Sequence, residues 1–347
     1  MKRILSILLL AMVAFAQSCE HKDLCYHHPH TANVRLDVDW SDFNKETPTG
    51  MTVMMYPNNG DGKAITQHTN IIEYALFSLP VDTYHSIAYN QSPSEYGSLS
   101  FRGMERYETA EVYANPTTSR WYVTREESGR AVTDPEWVGV DQVEGAVVTQ
   151  DMVNRTSEIT LSQMNASQTR VDNSFLIGEH KPLNIIYTIT VKVHIEGIYN
   201  LRSARASLGG LAEGYFLGQN RVSSSRVTHL LEEWSLDINP DDPTKGTITA
   251  KITSFGLPDG HQGTAKENEF ILSVLLVDNK TILDFPFDVG DKFKMNVEED
   301  VKLSLELSLE LTLDEPLPDV KPEGGSDGGF NATVDDWGEE EDVDVSM

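Results

Sequence analysis

Cysteine is nearly absent: the 347 residues hold two, Cys19 and Cys25. So few thiols exclude a disulfide-built scaffold and a cysteine-rich zinc module, and leave cohesion to apolar cores. Basic residues are scarce too. Lys and Arg number 27 against 54 Asp and Glu, a net charge of −27, which disfavours nucleic acid and anionic lipid surfaces as partners because both require a cationic footprint. Beyond residue 16 no apolar run approaches the roughly 20 residues of a spanning helix, so none is expected in the mature chain. Catalytic motifs are missing as well: H-E-x-x-H, G-x-S-x-G and G-x-x-x-x-G-K-[ST] do not occur. "NNGDGK" from Asn58 fails as a calcium loop, since Thr69 rather than Glu stands at its twelfth position. His68, His85, His180, His194, His229 and His261 are scattered without ligand spacing. Acidic residues are so common that no pair singles out a two-carboxylate glycosidase site. The expectation is a non-enzyme with no catalytic residue, metal or cofactor.

What is abundant is alternation. In "NVRLDVDW", Val34, Leu36, Val38 and Trp40 face one way and Arg35, Asp37 and Asp39 the other, which is a half-buried strand. "IIYTITVKVHI" repeats the pattern with Ile185, Tyr187, Ile189, Val191, Val193 and Ile195. "GTITAKITSF" and "FILSVLLVDNKTILDF" follow, the latter folding back at Asp278-Asn279 or Asn279-Lys280. In "VKLSLELSLELTLDE" every odd position over 301–313 is apolar and every even one polar. As a strand it would run roughly 43 Å at about 3.3 Å per residue, so it predicts a bend, a bulge or a long edge open to pairing. Helices are expected at most over 104–113 and 203–213, and the second also reads as a strand with a Gly-rich turn.

The N-terminus carries an export pattern: Lys2 and Arg3 precede a charge-free, apolar run over 4–16. Ala14-Phe15-Ala16 fits an ordinary cleavage site, whereas Ala16-Gln17-Ser18-Cys19 fits a bacterial lipobox. The second predicts a signal peptide over 1–18 and a lipidated Cys19. Acylation turns the Cys19 sulfur into a thioether and leaves Cys25 as the only thiol; an unmodified chain starting at Gln17 would reopen a Cys19–Cys25 disulfide. A metal site from Cys25, His27, His28 and His30 departs from the usual C-x₂₋₄-C and H-x₃₋₅-H spacings. Residues 19–31 then form a tether reaching roughly 40 Å when extended, on an anchor of three acyl chains that holds permanently.

The remaining length predicts two domains. An all-β chain is expected, with one β-sandwich over 32–180 and a second over 181–316, seamed by the polar stretch 154–168 and by "GEHKPLN" from Gly178. An acidic, Gly-rich tail over 317–347 ends in a short strand that contains Phe330 and Trp337. Trp121, Tyr122, Trp137, Tyr84, Tyr89 and Tyr96 are either a sugar-stacking platform or sandwich core.

"SCEHKDLCYHHPH" followed by "VRLDVDW", with the closing F-x-x-x-V-D-D-W at 330–337, resembles an uncharacterised family of Bacteroidota lipoproteins. "RASLGGLAEGYFLG" at 205–218 is similar, more distantly, to fimbrial anchor lipoproteins of the FimB/Mfa2 type. These resemblances imply an outer-membrane, cell-surface lipoprotein with acyl (palmitate-type) chains on Cys19. They also imply two transthyretin-like β-sandwiches that seat or cap a fimbrial shaft. The expected partners are the outer membrane, through the lipid, and fimbrial subunits or another cell-surface protein, met by β-strand pairing through 301–313 or 330–345. The alternative is a glycan-binding lipoprotein beside an outer-membrane polysaccharide importer, which needs exposed aromatics in a row.

Overall fold

The computed structural model describes residues 30–59, 63–122, 130–162, 173–258, 267–296 and 305–322. In chain order it contains β1 (Ala32–Val38), β2 (Met51–Pro57), β3 (Ile65–Thr69), β4 (Tyr74–Leu79), β5 (Asp82–Asn90), β6 (Leu99–Arg102), β7 (Glu111–Ala114), β8 (Ala131–Val132), β9 (Gly139–Val148), α1 (Gln150–Ser162) and β10 (Phe175–His180). There follow β11 (Leu183–Asn184), β12 (Tyr187–Glu196), β13 (Leu201–Ala212), β14 (Gly214–Phe216), β15 (Arg221–Val222), β16 (Arg226–Leu231), β17 (Ser235–Ile238), β18 (Lys245–Ser254), β19 (Glu269–Leu276), β20 (Ile282–Asp288), β21 (Lys294–Asn296) and β22 (Glu306–Thr312). Among the described residues the fold is all-β apart from α1 and short 3₁₀ turns.

A three-stranded sheet ordered β10-β1-β4 packs on a five-stranded sheet ordered β11-β9-β5-β2-β3, whose strands all precede residue 180 apart from β11. β1 pairs parallel to β10 and antiparallel to β4, with Ala32, Val34, Leu36 and Val38 turned inward as the alternation predicts. β2 does not alternate, because it is covered on both faces. Met51, Val53 and Met55 face the β1 layer, whereas Met54 and Tyr56 enter a second core on the opposite side. Continuous apolar runs of this kind mark strands sandwiched between layers.

Two further five-stranded sheets, β20-β19-β13-β16-β8 and β17-β18-β12-β22-β21, share one core, and all their strands except β8 follow residue 180. Ile189, Val191 and Val193 of β12 meet Leu208 of β13, Leu272 and Val274 of β19, and Leu307, Leu309 and Leu311 of β22. Each such side chain contributes roughly 1.5–3 kcal/mol on full burial. The β19–β20 hairpin turns at Asn279, whose φ is 58°, while Asp278 accepts from the Lys280 and Thr281 N–H groups.

The chain on either side of residue 180 is interwoven. A four-stranded sheet ordered β15-β14-β7-β6 takes two strands from each side, and β8 pairs in parallel with β16. One core cluster accordingly joins Ile87, Tyr89 and Val112 to Ala212, Leu217, Val227 and Phe255. The glycines of "RASLGGLAEGYFLG" permit this. Gly210, at φ 79°, lies in a bulge where β13 changes register, and a Cβ there would overlap the Glu267 carbonyl. At Gly214 a Cβ would overlap the Val112 carbonyl of the neighbouring β7.

Two local expectations change. Over 104–113 there is no helix: a 3₁₀ turn at Tyr107–Thr109 leads into β7, because Ala110, Val112 and Ala114 alternate into the shared core. Residues 203–213 are the strand β13, as their second reading allowed. Part of the polar stretch 154–168 folds as α1. Its Val153 is buried with Met152 beside it, and Thr156 accepts a hydrogen bond from the Asn33 N–H at 3.3 Å.

Candidate functional site

The alternating segment with which the sequence suggested pairing is engaged within its own sheet. β22 runs parallel to β12 over Thr188–His194, and β21 covers its other side over Glu306–Ser308. Its leucine row is buried, so the alternation serves the core. Residues 301–304, the tail segment 330–345, Cys19, Cys25, His27 and His28 lie outside the described residues.

Three polar side chains far apart in sequence meet beneath the β1 layer. Ser86 Oγ lies 2.9 Å from His180 Nε2, and His180 Nδ1 lies 3.3 Å from Asp141 Oδ2. The order is that of a hydrolase relay. However, Ser86 and His180 are both 0% exposed, and Ser86 sits mid-strand in β5. No substrate carbonyl can reach that hydroxyl, so the cluster acts as a polar rivet between β5, β9 and β10. Burial would raise the Asp141 carboxyl, but hydrogen bonds from His180 and from the Lys181 N–H outweigh it and hold the group below its ordinary value. His180 is indistinguishable from the other histidines in sequence, because its partners lie 94 and 39 residues away.

A second cluster clamps the interwoven region. Arg102 forks onto Glu111 through Nε at 2.6 Å and Nη2 at 2.9 Å, and Nη2 also reaches Glu213 at 3.1 Å. Arg130 donates to the other Glu213 oxygen. Both carboxylates are buried, whereas the two guanidinium groups are nearly half exposed. The fork raises the pKa of Arg102, chiefly through the Glu111 hydrogen bond, and its plane lies 4.5 Å above the Tyr113 ring.

The six aromatics divide between core and surface. Tyr84, Tyr89 and Tyr96 are buried. Trp137 is half-buried beneath the Lys45 ammonium at 3.7 Å. Trp121 and Tyr122 meet edge to face at 79°, with Trp121 Nε1 donating to Glu232 and Arg205 stacked on its ring. They present no coplanar row to a sugar. A cleft of about 520 Å³ lies at the junction, lined by Asp141, Gln142, Asn184, Tyr187, Tyr215 and Arg221 among others. A second hollow of about 490 Å³ lies beside His194, Asp237, Lys245 and Thr247. Among the described residues no group of three or more His, Cys, Asp or Glu is placed to hold a metal, and no helix is long and apolar enough to cross a membrane.

Comparison with known proteins places this architecture. A Bacteroides ovatus protein provisionally named fimbrium anchoring subunit Fim4B is 22% identical over 252 residues, covering 72% of this chain and 64% of the relative. The chain thus spans just under two thirds of that relative's length. A Bacteroides ovatus crystal structure provisionally described as an adhesin superposes with a TM-score of 0.55 at 18% identity, over 87% of this chain and 99% of that one. It shares the fold. The fimbrial anchor protein Mfa2 of Porphyromonas gingivalis aligns at 12% identity over 81% of this chain and 90% of its own, with a TM-score of 0.45. The profile of a domain of unknown function, DUF5119, matches residues 18–232, well over half of the chain, and the protein belongs to that family.

Proposed function

We propose that this protein is a non-enzymatic, lipid-anchored lipoprotein of the outer membrane and cell surface that holds fimbrial subunits or mediates adhesion by β-strand pairing. The observation that carries this reading is the match of 72% of the chain to a relative named as a fimbrium anchoring subunit. The fold agrees with it. A mechanical anchor must transmit force without parting, and here the chain on either side of residue 180 shares a sheet and a core rather than a flexible linker. Acylation of Cys19 would supply the membrane end, with residues 19–31 as the tether. Sheet edges supply the other end, since unpaired backbone N–H and C=O groups can add a strand from a partner.

The test is affinity capture of the tagged protein from cross-linked cells, followed by mass spectrometry. Enrichment of fimbrial subunits is the expected result. Enrichment of polysaccharide-importer subunits in their place would overturn the reading in favour of glycan capture.

A further inference from the structure

We propose that the outer edge of β17 is the docking edge for an extended strand of a partner protein bearing Lys or Arg. The inference rests on the strand-pairing reading above and names the edge and the partner's chemistry. β17 pairs with β18 alone among the described residues. The Asn239 N–H bonds the Lys245 carbonyl at 2.9 Å. In an antiparallel ladder this makes Asp237–Thr247 and Ser235–Thr249 the hydrogen-bonded pairs. The N–H and C=O groups of Leu236 and Ile238 therefore point away from β18, toward the open side.

The side chains are open as well. Leu236 and Ile238 are 52% and 48% exposed, and they stand on the core side of the sheet, Leu236 opposite the buried Ile248. Five of the other edges are guarded. β20 carries Pro286 between Asp284 and Asp288 on its outward row, the Gln67 side chain occupies the Leu76 N–H of β4, and β8, β11 and β15 are two residues long. β17 combines open backbone with two exposed aliphatic side chains.

Charge selects the occupant. Glu232, Glu233, Asp237 and Asp241 are exposed along this edge, and Asp242 holds Lys245 at 3.5 Å. A second copy would bring the same acids face to face. The chain's own tail is no better suited, with ten acidic residues and one basic from Asp319 onward. A strand alternating apolar and cationic residues satisfies both the aliphatic lip and the acidic margin.

The test uses the full-length protein and a fluorescent ten-residue peptide of alternating valine and lysine, read by anisotropy, with a valine–glutamate peptide beside it. Saturable binding of the first is expected, at least tenfold weaker in Leu236→Pro and Ile238→Pro, which delete only outward N–H groups. Glu232→Lys/Glu233→Lys should weaken it too. In Leu236→p-benzoylphenylalanine, light should cross-link the lysine peptide to position 236, a readout that stands even where a proline variant misfolds. Absent cross-linking, equal binding by folded proline variants, equal binding of the glutamate peptide, or a self-assembled dimer lost in Leu236→Pro would each overturn the proposal. None of these outcomes depends on which proteins the cell capture recovers, so the two failures are distinguishable.

Discussion

Arg102 and Glu213 stand 111 residues apart in the chain and 3.1 Å apart in space, one from the sequence before residue 180 and one from after it. Removing Glu213 leaves Arg130 without this carboxylate and a buried polar space behind. Because the guanidinium groups are nearly half exposed, Glu213→Ala should cost about 2–3 kcal/mol rather than the full penalty of a buried pair. Urea unfolding followed by far-UV circular dichroism and by tryptophan fluorescence should still give one coincident transition, shifted to lower urea. Two separated transitions in the wild-type protein would show that the shared core does not couple the halves.

The Ser86–His180–Asp141 relay should be chemically silent. A fluorophosphonate probe is expected to leave Ser86 unlabelled in the folded protein, and labelling at Ser86 would reinstate a hydrolase. His180→Ala strands Ser86 and Asp141 without their common partner and should cost about 2 kcal/mol, read as a lowered thermal midpoint.

Acid should loosen the same rivet. The folded Asp141 carboxyl lies below its ordinary value, so its contribution is present above about pH 4 and is lost as pH falls through the lower folded value. Asp141→Asn should flatten that part of the stability profile in thermal melts. At the alkaline end the sign reverses. Burial pushes the phenols of Tyr84 and Tyr215 up to about 12, so the stability they confer is full below about pH 10 and vanishes as pH rises through 12. Ultraviolet titration should show these phenols ionising late, after exposed tyrosines.

Strands whose two faces differ were legible in the sequence. β1, β12, β18, β19 and β22 each have one face on a core and one on water, so side-chain polarity alternates with the pleat. β2 was not, because burial on both faces erases the alternation. α1 was missed because its residues are mostly polar, with Val153 and Thr156 meeting the β1 layer. The interweaving was hidden too, since it depends on glycines whose role is to admit a neighbouring backbone at Gly214 and a bulge at Gly210. Among the functional features, the buried Ser86–His180–Asp141 and Arg102–Glu213 clusters are products of topology, with His180 and Asp141 39 residues apart and Arg102 and Glu213 111 apart. The β17 edge was overlooked because four residues are too short for a periodicity to register.

Under the function we propose, the chain would link fimbrial subunits to the membrane through a lipid on Cys19. The most direct measurement compares cells carrying the wild-type protein with cells carrying Cys19→Ala, quantifying the chain and the fimbrial subunits in the outer-membrane fraction and in the medium. Both are expected to move together from membrane to medium in the variant. Fimbrial subunits that stay on the membrane while the chain is released would contradict it.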